Sequence, residues 1–271
     1  MPLVVCPTPI GNLDDVTLRA LAELRAADVV LCEDTRRTRI LLDRHGIAPP
    51  RVLSYHRHNE ARRVQELLPA LAEGARVALV SDAGMPGISD PGARIVAAAL
   101  EADVALVVLP GPSAVETALV ASGFSGGPFR FLGYLPRREA ELTALWQALC
   151  DRPEAAVAFE SPNRLPASLR SLAAADPERP VAVCRELTKR FEEIVRGPAR
   201  QVAALLPDPV KGEVTLVLGP AGAPPERPGE ESAALDAVRE LVSAGVPRRR
   251  AVDVVARLTG VPRNALYRRS L

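Results

Sequence analysis

The feature that most constrains the fold is an apolar strand pattern that runs directly into a glycine-rich loop and then into a helix. Residues 77–80, Val-Ala-Leu-Val, form an unbroken apolar run, as in a strand that is covered on both faces. Residues 81–92 follow with three glycines, and residues 93–102 have an alanine-rich helical pattern. In parallel α/β sheets, ligands bind outside the carboxyl ends of the strands, where glycines let backbone N–H groups approach them. The stretch therefore predicts an α/β fold with a binding loop after this strand.

Two aspartates in this loop have different predicted roles. Asp90 precedes Pro91, and an aspartate N-cap with proline at the first helical position is a favoured helix start, so Asp90 is predicted to cap the helix. Asp82 ends the strand with no helix start beside it, and either ligand binding or ordinary turn chemistry accounts for it.

Other strand patterns also end in polar or glycine-containing loops. Strands predicted at residues 3–6 and 104–109 run into the loops 7–12 and 110–114, and these two loops are predicted to converge with residues 81–92 at one sheet edge. A strand predicted at residues 28–32 runs into Glu-Asp-Thr-Arg. These adjacent acidic and basic residues either belong to the binding edge or form a capped, salt-bridged helix start.

The second half of the chain has a different strand spacing. Strands predicted at residues 181–184, 192–195 and 214–218 leave little room for crossover helices, which indicates a mixed or antiparallel sheet. Residues rich in Pro, Gly, Ala and Glu then precede three short helical patterns at 232–244, 247–258 and 262–269. The predicted organisation is an N-terminal α/β domain at 1–114, a second α/β domain at 115–220, a linker at 221–231 and a helix-turn-helix-like segment at 232–271.

Composition excludes several classes of protein. With 271 residues, 48% hydrophobic and 25% charged, the chain is predicted to be globular and cytoplasmic, since it has neither a leader pattern nor an apolar run of about 20 residues. Its four cysteines are far apart, and the histidines at 56 and 58 lack metal-ligand spacing, so neither zinc nor a disulfide is expected. The chain lacks the Walker A, dinucleotide-binding, serine-esterase and zinc-protease motifs.

Charge is uneven along the chain. The formal net charge is only +1, yet residues 248–271 carry seven arginines against one aspartate. Either a solvated basic helix face or binding to an RNA backbone accounts for this segment.

Seven motifs occur in an order that resembles the ribosomal RNA small subunit methyltransferase I family, in the tetrapyrrole methylase-like superfamily. They are Pro-Thr-Pro-Ile-Gly-Asn-Leu at 7–13, Glu-Asp-Thr-Arg at 33–36, Ser-Asp-Ala-Gly with Ile-Ser-Asp-Pro-Gly at 81–92, Pro-Gly-Pro-Ser-Ala at 110–114, Phe-Glu-Ser-Pro at 159–162, Arg-Glu-Leu-Thr-Lys at 185–189 and Lys-Gly-Glu at 211–213. The chain departs from the family at Asn163, where histidine is expected, and at residues 85–87, Met-Pro-Gly in place of Thr-Pro-Leu.

The resemblance implies S-adenosyl-L-methionine-dependent 2′-O-methylation of a decoding-centre cytidine in 16S rRNA. It implies a homodimer of chains with two α/β domains, the cofactor in the cleft between them, a small C-terminal helical bundle, and 16S rRNA or the small ribosomal subunit as partner. The implied cofactor-binding residues are Pro9, Asp82, Met85, Ile88, Ser113, Ala114 and Phe159. Those implied for substrate binding are Asn12, Arg36, Arg164 and Arg185, and those for catalysis are Lys189, Glu186 and Glu60, with Lys189 either positioning the substrate or accepting its proton.

Two other functions stay open at this level. A methyltransferase that acts on carbon atoms of a corrin or sirohaem precursor would share the cofactor cleft but has little use for an arginine-rich tail. A non-enzymatic RNA-binding protein would keep the basic tail and loops without a specific cofactor.

Overall fold

The computed structural model describes residues 2–206, 209–221, 230–259, 261, 263, 266 and 267, and of residues 230–232 only the backbone. The chain divides into two compact units, Met1–Ala221 and Gly222–Leu271. Of the predicted linker, residues 222–229 lie outside the described residues, and residues 230 and 231 begin a helix. The predicted division of the first unit at residue 114 stays a prediction.

The first sheet has five strands, all parallel, in the order β3-β2-β4-β1-β5. The strands are Leu3–Val5 (β1), Val29–Cys32 (β2), Arg51–Ser54 (β3), Val77–Leu79 (β4) and Leu106–Val108 (β5). The helices are Leu18–Ala26 (α1), Thr35–Arg44 (α2), Glu60–Ala72 (α3) and Ala93–Glu101 (α4), with a short 3-10 helix at Leu13–Asp15. Separate apolar clusters cover the two faces of this sheet, so strand β4 is buried throughout, as its sequence predicts.

Two helix starts test the capping predictions. Asp34 caps α2, where its side chain accepts a hydrogen bond from the Arg36 N–H and pairs with the Arg36 guanidinium, so the capped, salt-bridged start is confirmed. Asp90 does not cap α4, and that prediction was wrong. The N-cap is Gly92 with φ 150°, a conformation that favours glycine, and a Cβ there would lie 3.0 Å from the Gly87 nitrogen. This tight loop delays the start of the helix until Ala93, so the Asp90 side chain does not cap it.

The second sheet has the order β6-β7-β10-β8-β9, with β6 and β7 parallel and the other pairs antiparallel. The strands are Phe129–Tyr134 (β6), Ala155–Glu160 (β7), Pro180–Arg185 (β8), Glu193–Pro198 (β9) and Val214–Leu218 (β10). The helices of this half are Ala114–Ser122 (α5), Glu139–Leu149 (α6), Leu165–Ala175 (α7) and Ala199–Leu205 (α8). The predicted mixed sheet is confirmed, although α8 is too short for its periodicity to have been recognised.

The C-terminal unit contains helices Glu230–Ser243 (α9) and Arg248–Thr259 (α10), which match two of the three predicted helices. They pack around their own apolar cluster, which includes Val238, Val252 and Leu266. The predicted third helix, 262–269, is described only at positions 263, 266 and 267, which are helical. Among the described helices, none has the length and apolar character that crossing a membrane requires.

Candidate active site

Loops from both sheets enclose two adjoining cavities of about 470 and 150 Å³. The larger cavity has an acidic lining and the smaller one a largely apolar lining, and they share Ala83, Ala114 and Phe159. The larger one is also lined by Ile10 from the loop after β1 and by Asp82 from the loop after β4. The convergence of the three strand-end loops is therefore observed, because Ile10, Asp82 and Ala114 meet at one cavity.

Short contacts hold these loops together. Thr8 and Gly84 exchange two backbone hydrogen bonds of 2.9 Å, and the Thr8 hydroxyl donates to the Ser81 carbonyl at 3.0 Å. A Cβ on Gly111 would lie 2.8 Å from the Pro7 side chain, so the third loop also lies close against the first. Glycine is needed at Gly111 because a Cβ would clash with Pro7, and it is favoured at Gly84 because the backbone there has φ 78°.

Asp82 joins the loop after β4 to the loop after β2. Its Oδ1 accepts a hydrogen bond of 2.9 Å from the Asp34 N–H, and its Oδ2 lies 3.6 Å from the Arg37 Nε. Both Asp82 and Arg37 line the larger cavity. The Asp82 side chain thus connects two loops and also lines the cavity.

The larger cavity is also lined by groups that were not predicted from the sequence as site residues, among them Glu33, Asp90 and Tyr134. Burial raises the pKa of Asp90 to about 6, and the facing carboxylates of Glu33 and Asp82 add to the shift. Burial and then the charge of Asp82 raise the pKa of Glu33 as well. Glu33 follows β2 as Asp82 follows β4, and this common position at neighbouring strand ends was the available signal.

The smaller cavity receives the remaining predicted cofactor residues except one. Met85, Ile88 and Ser113 line it together with Phe131, and the Ser113 hydroxyl donates a hydrogen bond to Glu116. Pro9 is buried and lines neither cavity. Of the two positions that differ from the family pattern, Met85 lines the smaller cavity. Asn163 is exposed and lines neither of the two cavities.

Glu186 and Lys189 belong to a network of charges beside the larger cavity. The Lys189 Nζ lies 2.9 Å from Glu186 Oε1 and 3.0 Å from Glu213 Oε2, and Glu186 Oε1 also accepts from the Glu213 N–H at 2.8 Å. Burial alone would lower the pKa of Lys189, but the hydrogen bonds to the two carboxylates raise it overall. Lys189 is therefore held as a cation.

Asn12 meets the Lys189 segment across a shallow groove. Its backbone N–H donates to the Thr188 hydroxyl at 2.9 Å, and a Cβ on Gly11 would lie 2.5 Å from the Lys189 side chain. The groove is lined by both segments and by Arg44 and Arg190. Motifs that are 176 residues apart in the chain thus form one surface.

The predicted arginines are engaged elsewhere. Arg36 is largely exposed and pairs with Asp34 at 2.7 Å, and Arg185 pairs with Glu193 at 2.8 Å. Arg164 lies 3.2 Å from the buried Glu160 and also donates to the carbonyls of residues 135 and 136.

Glu60 begins α3 and lines neither cavity. The structure thus brings Asn12, Glu186 and Lys189 together but does not bring Glu60 or the three arginines into the cavity lining.

Comparison with known proteins identifies the family. The model for Tetrapyrrole (Corrin/Porphyrin) Methylases matches residues 2–203, and that for the RsmI C-terminal HTH domain matches residues 229–271. The Ribosomal RNA small subunit methyltransferase I of Mesorhizobium japonicum is 44% identical over 99% of this chain and 91% of its own length. The protein of the same name from Micromonospora olivasterospora is 45% identical over 98% of this chain and 85% of its own length.

Solved structures share the fold at low sequence identity. A cobalt precorrin-4 methyltransferase is 21% identical with a TM-score of 0.58, over 80% of this chain and 94% of its own. The uroporphyrin-III C-methyltransferase of Thermus thermophilus complexed with S-adenyl homocysteine is 19% identical with a TM-score of 0.55, over 80% and 96%. The predicted fold class, two α/β domains of tetrapyrrole methylase type with a small C-terminal helical bundle, is confirmed. With relatives above 40% identity over nearly its full length, the chain belongs to the ribosomal RNA small subunit methyltransferase I family of tetrapyrrole methylases.

Proposed function

We propose that this protein uses S-adenosyl-L-methionine to methylate the 2′-oxygen of a decoding-centre cytidine in 16S rRNA. The observation that carries the proposal is the pair of adjoining cavities, one apolar and one acidic, enclosed by loops from both sheets. Family membership supports methyl transfer to rRNA, because the relatives are named for it.

The lining residues fit the cofactor. Adenine needs an apolar slot with a few polar groups, and Met85, Ile88 and Phe131 supply the apolar walls beside Ser113. A sulfonium and an amino group are cations, and the carboxylates that line the larger cavity match that charge. When bound, the cofactor supplies an electrophilic methyl group. Asp82, Ala114 and Phe159 would hold it from the walls of the larger cavity.

The protein's main task in such a reaction is alignment. Methyl transfer to a hydroxyl is a displacement at carbon, so the rate depends on holding the oxygen opposite the leaving sulfur. Lys189 is held as a cation by Glu186 and Glu213, which suits contact with an RNA phosphate better than proton removal. We therefore assign positioning to Lys189, with Glu186 as the residue that orients it. Glu60 as a catalytic residue stays a prediction.

RNA contact is assigned to the groove and the tail. Asn12 lines the shallow groove with Lys189, and Arg36 is exposed enough to exchange its carboxylate partner for a phosphate. Contacts by Arg164 and Arg185 would first require their present hydrogen bonds to break. In the C-terminal unit, Arg249 and Arg250 are exposed at the start of α10 and would contact the RNA backbone. The homodimer stays a prediction.

The decisive experiment is mass spectrometry of ribose methylation. Unmethylated 16S rRNA, free and within the small subunit, is incubated with S-adenosyl-L-methionine and this protein, and nuclease fragments are examined for 2′-O-methylcytidine. We expect one modified cytidine that is absent without protein. Methylation of a porphyrinogen but of no RNA would show instead that the protein is a tetrapyrrole methyltransferase. Tight RNA binding without cofactor binding would favour the non-enzymatic alternative.

A further inference from the structure

Removal of the hydroxyl proton requires a proton acceptor, and Lys189, which is held as a cation, does not supply one. Five carboxyl groups line the larger cavity, and three of them already have cationic partners. Asp82 lies near Arg37, Glu160 near Arg164, and Glu213 near Lys189. In the part of the chain that the structure describes, neither Glu33 nor Asp90 forms an ion pair, so these two are the lining carboxyls without a cationic partner.

The backbone directs Asp90 to the cavity instead of the helix. The preceding residue, Ser89, has φ 64°, which costs a non-glycine residue free energy, and strained backbone of this kind concentrates at functional sites. The N-cap of α4 is Gly92, without a side-chain hydrogen bond, although an aspartate stands two residues before it. The helix therefore lacks the stabilising side-chain cap that Asp90 could have formed, and Asp90 lines the cavity instead.

Groups from its own loop and from three further segments surround this carboxyl. Ser81 and Asp82 face it from its own loop, and Glu33 faces it from the loop after β2. Arg57 approaches from the loop after β3. The Tyr134 phenol at the end of β6 is close enough for the charge of Asp90 to raise its pKa. Burial and the two neighbouring carboxylates place the pKa of Asp90 at about 6, near the value that suits a general base at neutral pH.

We propose that Asp90 is the catalytic base that accepts the proton of the ribose 2′-hydroxyl. The proposal rests on the proposed function. As the oxygen–methyl bond forms and the sulfur–methyl bond breaks, the O–H electron pair stays on oxygen and the proton passes to the Asp90 carboxylate. The products are a 2′-O-methyl ribose, the neutral thioether of the spent cofactor and a protonated Asp90, which returns its proton to water.

The test is the pH profile of single-turnover methylation of 16S rRNA at saturating S-adenosyl-L-methionine. For the unmodified protein, log rate should rise with unit slope up to about pH 6 and then level, because the ionised carboxylate is the active form. Asp90→Asn should lower the plateau by about 10²- to 10⁴-fold and remove the acidic limb. Glu33→Gln removes a charge that raises the Asp90 pKa, so the same limb should move to lower pH.

The outcomes separate this proposal from the proposed function. Calorimetric cofactor binding by Asp90→Asn establishes that the variant is folded. If the unmodified protein methylates RNA and Asp90→Asn keeps the limb, the assignment of Asp90 is overturned and the function stands. A Glu33→Gln profile that superimposes on that of the unmodified protein would also overturn it. If the unmodified protein methylates no RNA ribose, both proposals fall together.

Discussion

The carboxylate of Asp82 accepts a hydrogen bond of 2.9 Å from the Asp34 backbone N–H, which connects the loop after β4 to the N-cap residue of α2. The same side chain lines the larger cavity. A change at this position therefore acts on the shape of the cavity as well as on any direct contact with a ligand.

Replacing Asp82 with alanine should weaken S-adenosyl-L-methionine binding by about 1–3 kcal/mol, because polar groups on the cofactor and on Asp34 lose their acceptor. Titration calorimetry measures the change. Asp82→Asn is the matched control, since its amide oxygen still accepts from Asp34, and it should retain more of the thermal stability. Unchanged cofactor affinity in Asp82→Ala would remove Asp82 from the proposed site.

Lys189→Ala should lower methyl transfer at saturating substrates by about 10²-fold while leaving cofactor affinity unchanged, because it removes an aligned cation. Its pKa is raised overall, so Lys189 stays charged through the pH range of the assay and contributes no alkaline limb to the rate profile. Lys189→Arg keeps the charge and tests the shape of the contact. Full turnover by Lys189→Ala would contradict the assignment.

Gly212→Ala tests how closely the charged network is fitted. Gly212 has φ 89°, and a Cβ there would lie 2.5 Å from the Glu186 carboxyl carbon. Gly74 has a similar φ of 98° but open space around it, so Gly74→Ala carries the same backbone strain without the clash. The Gly212 variant should be less stable than the Gly74 variant by about 1–3 kcal/mol in urea unfolding, and it alone should lose turnover. Equal stability of the two variants would show that Glu186 moves freely.

Replacing Arg249 and Arg250 with alanine should weaken RNA binding and reduce its dependence on salt. Each phosphate contact to single-stranded RNA contributes about 0.7 to the slope of log affinity against log salt, so the double variant should lose about 1.4. Deleting residues 232–271 should flatten the slope further and raise the KM for RNA with little effect on cofactor affinity. An unchanged slope in both variants would mean that the basic helix serves another purpose.

Local patterns predicted the fold well because each signal came from neighbouring residues. The apolar run at 77–80 became the central strand of a parallel sheet, and closely spaced strands after residue 180 became a mixed sheet. The misassigned Asp90 shows where such reasoning stops. Its Asp-Pro pair is a good cap locally, but the approach of Gly87 to Gly92 moved the helix start, and that contact depends on three-dimensional packing.

The candidate site was harder to predict for the same reason. Asp82 and the loop convergence followed from strand order, whereas the pairing of Lys189 with Glu213 joins residues from separate segments of the second sheet. No sequence pattern shows that Arg185 forms an ion pair with Glu193, which lies opposite it on the neighbouring strand. Residue type identifies polar candidates, but their partners decide which of them are free to act.

The parallel arrangement of the first sheet also provides a labelling position far from the cavities. All its strands point the same way, so the turns that enter them lie at the edge opposite the cavities. Gly74, in the exposed turn before β4, has open space around it. A fluorophore or short affinity tag inserted there would report on binding from a distance and leave the loops after β1, β2 and β4 untouched.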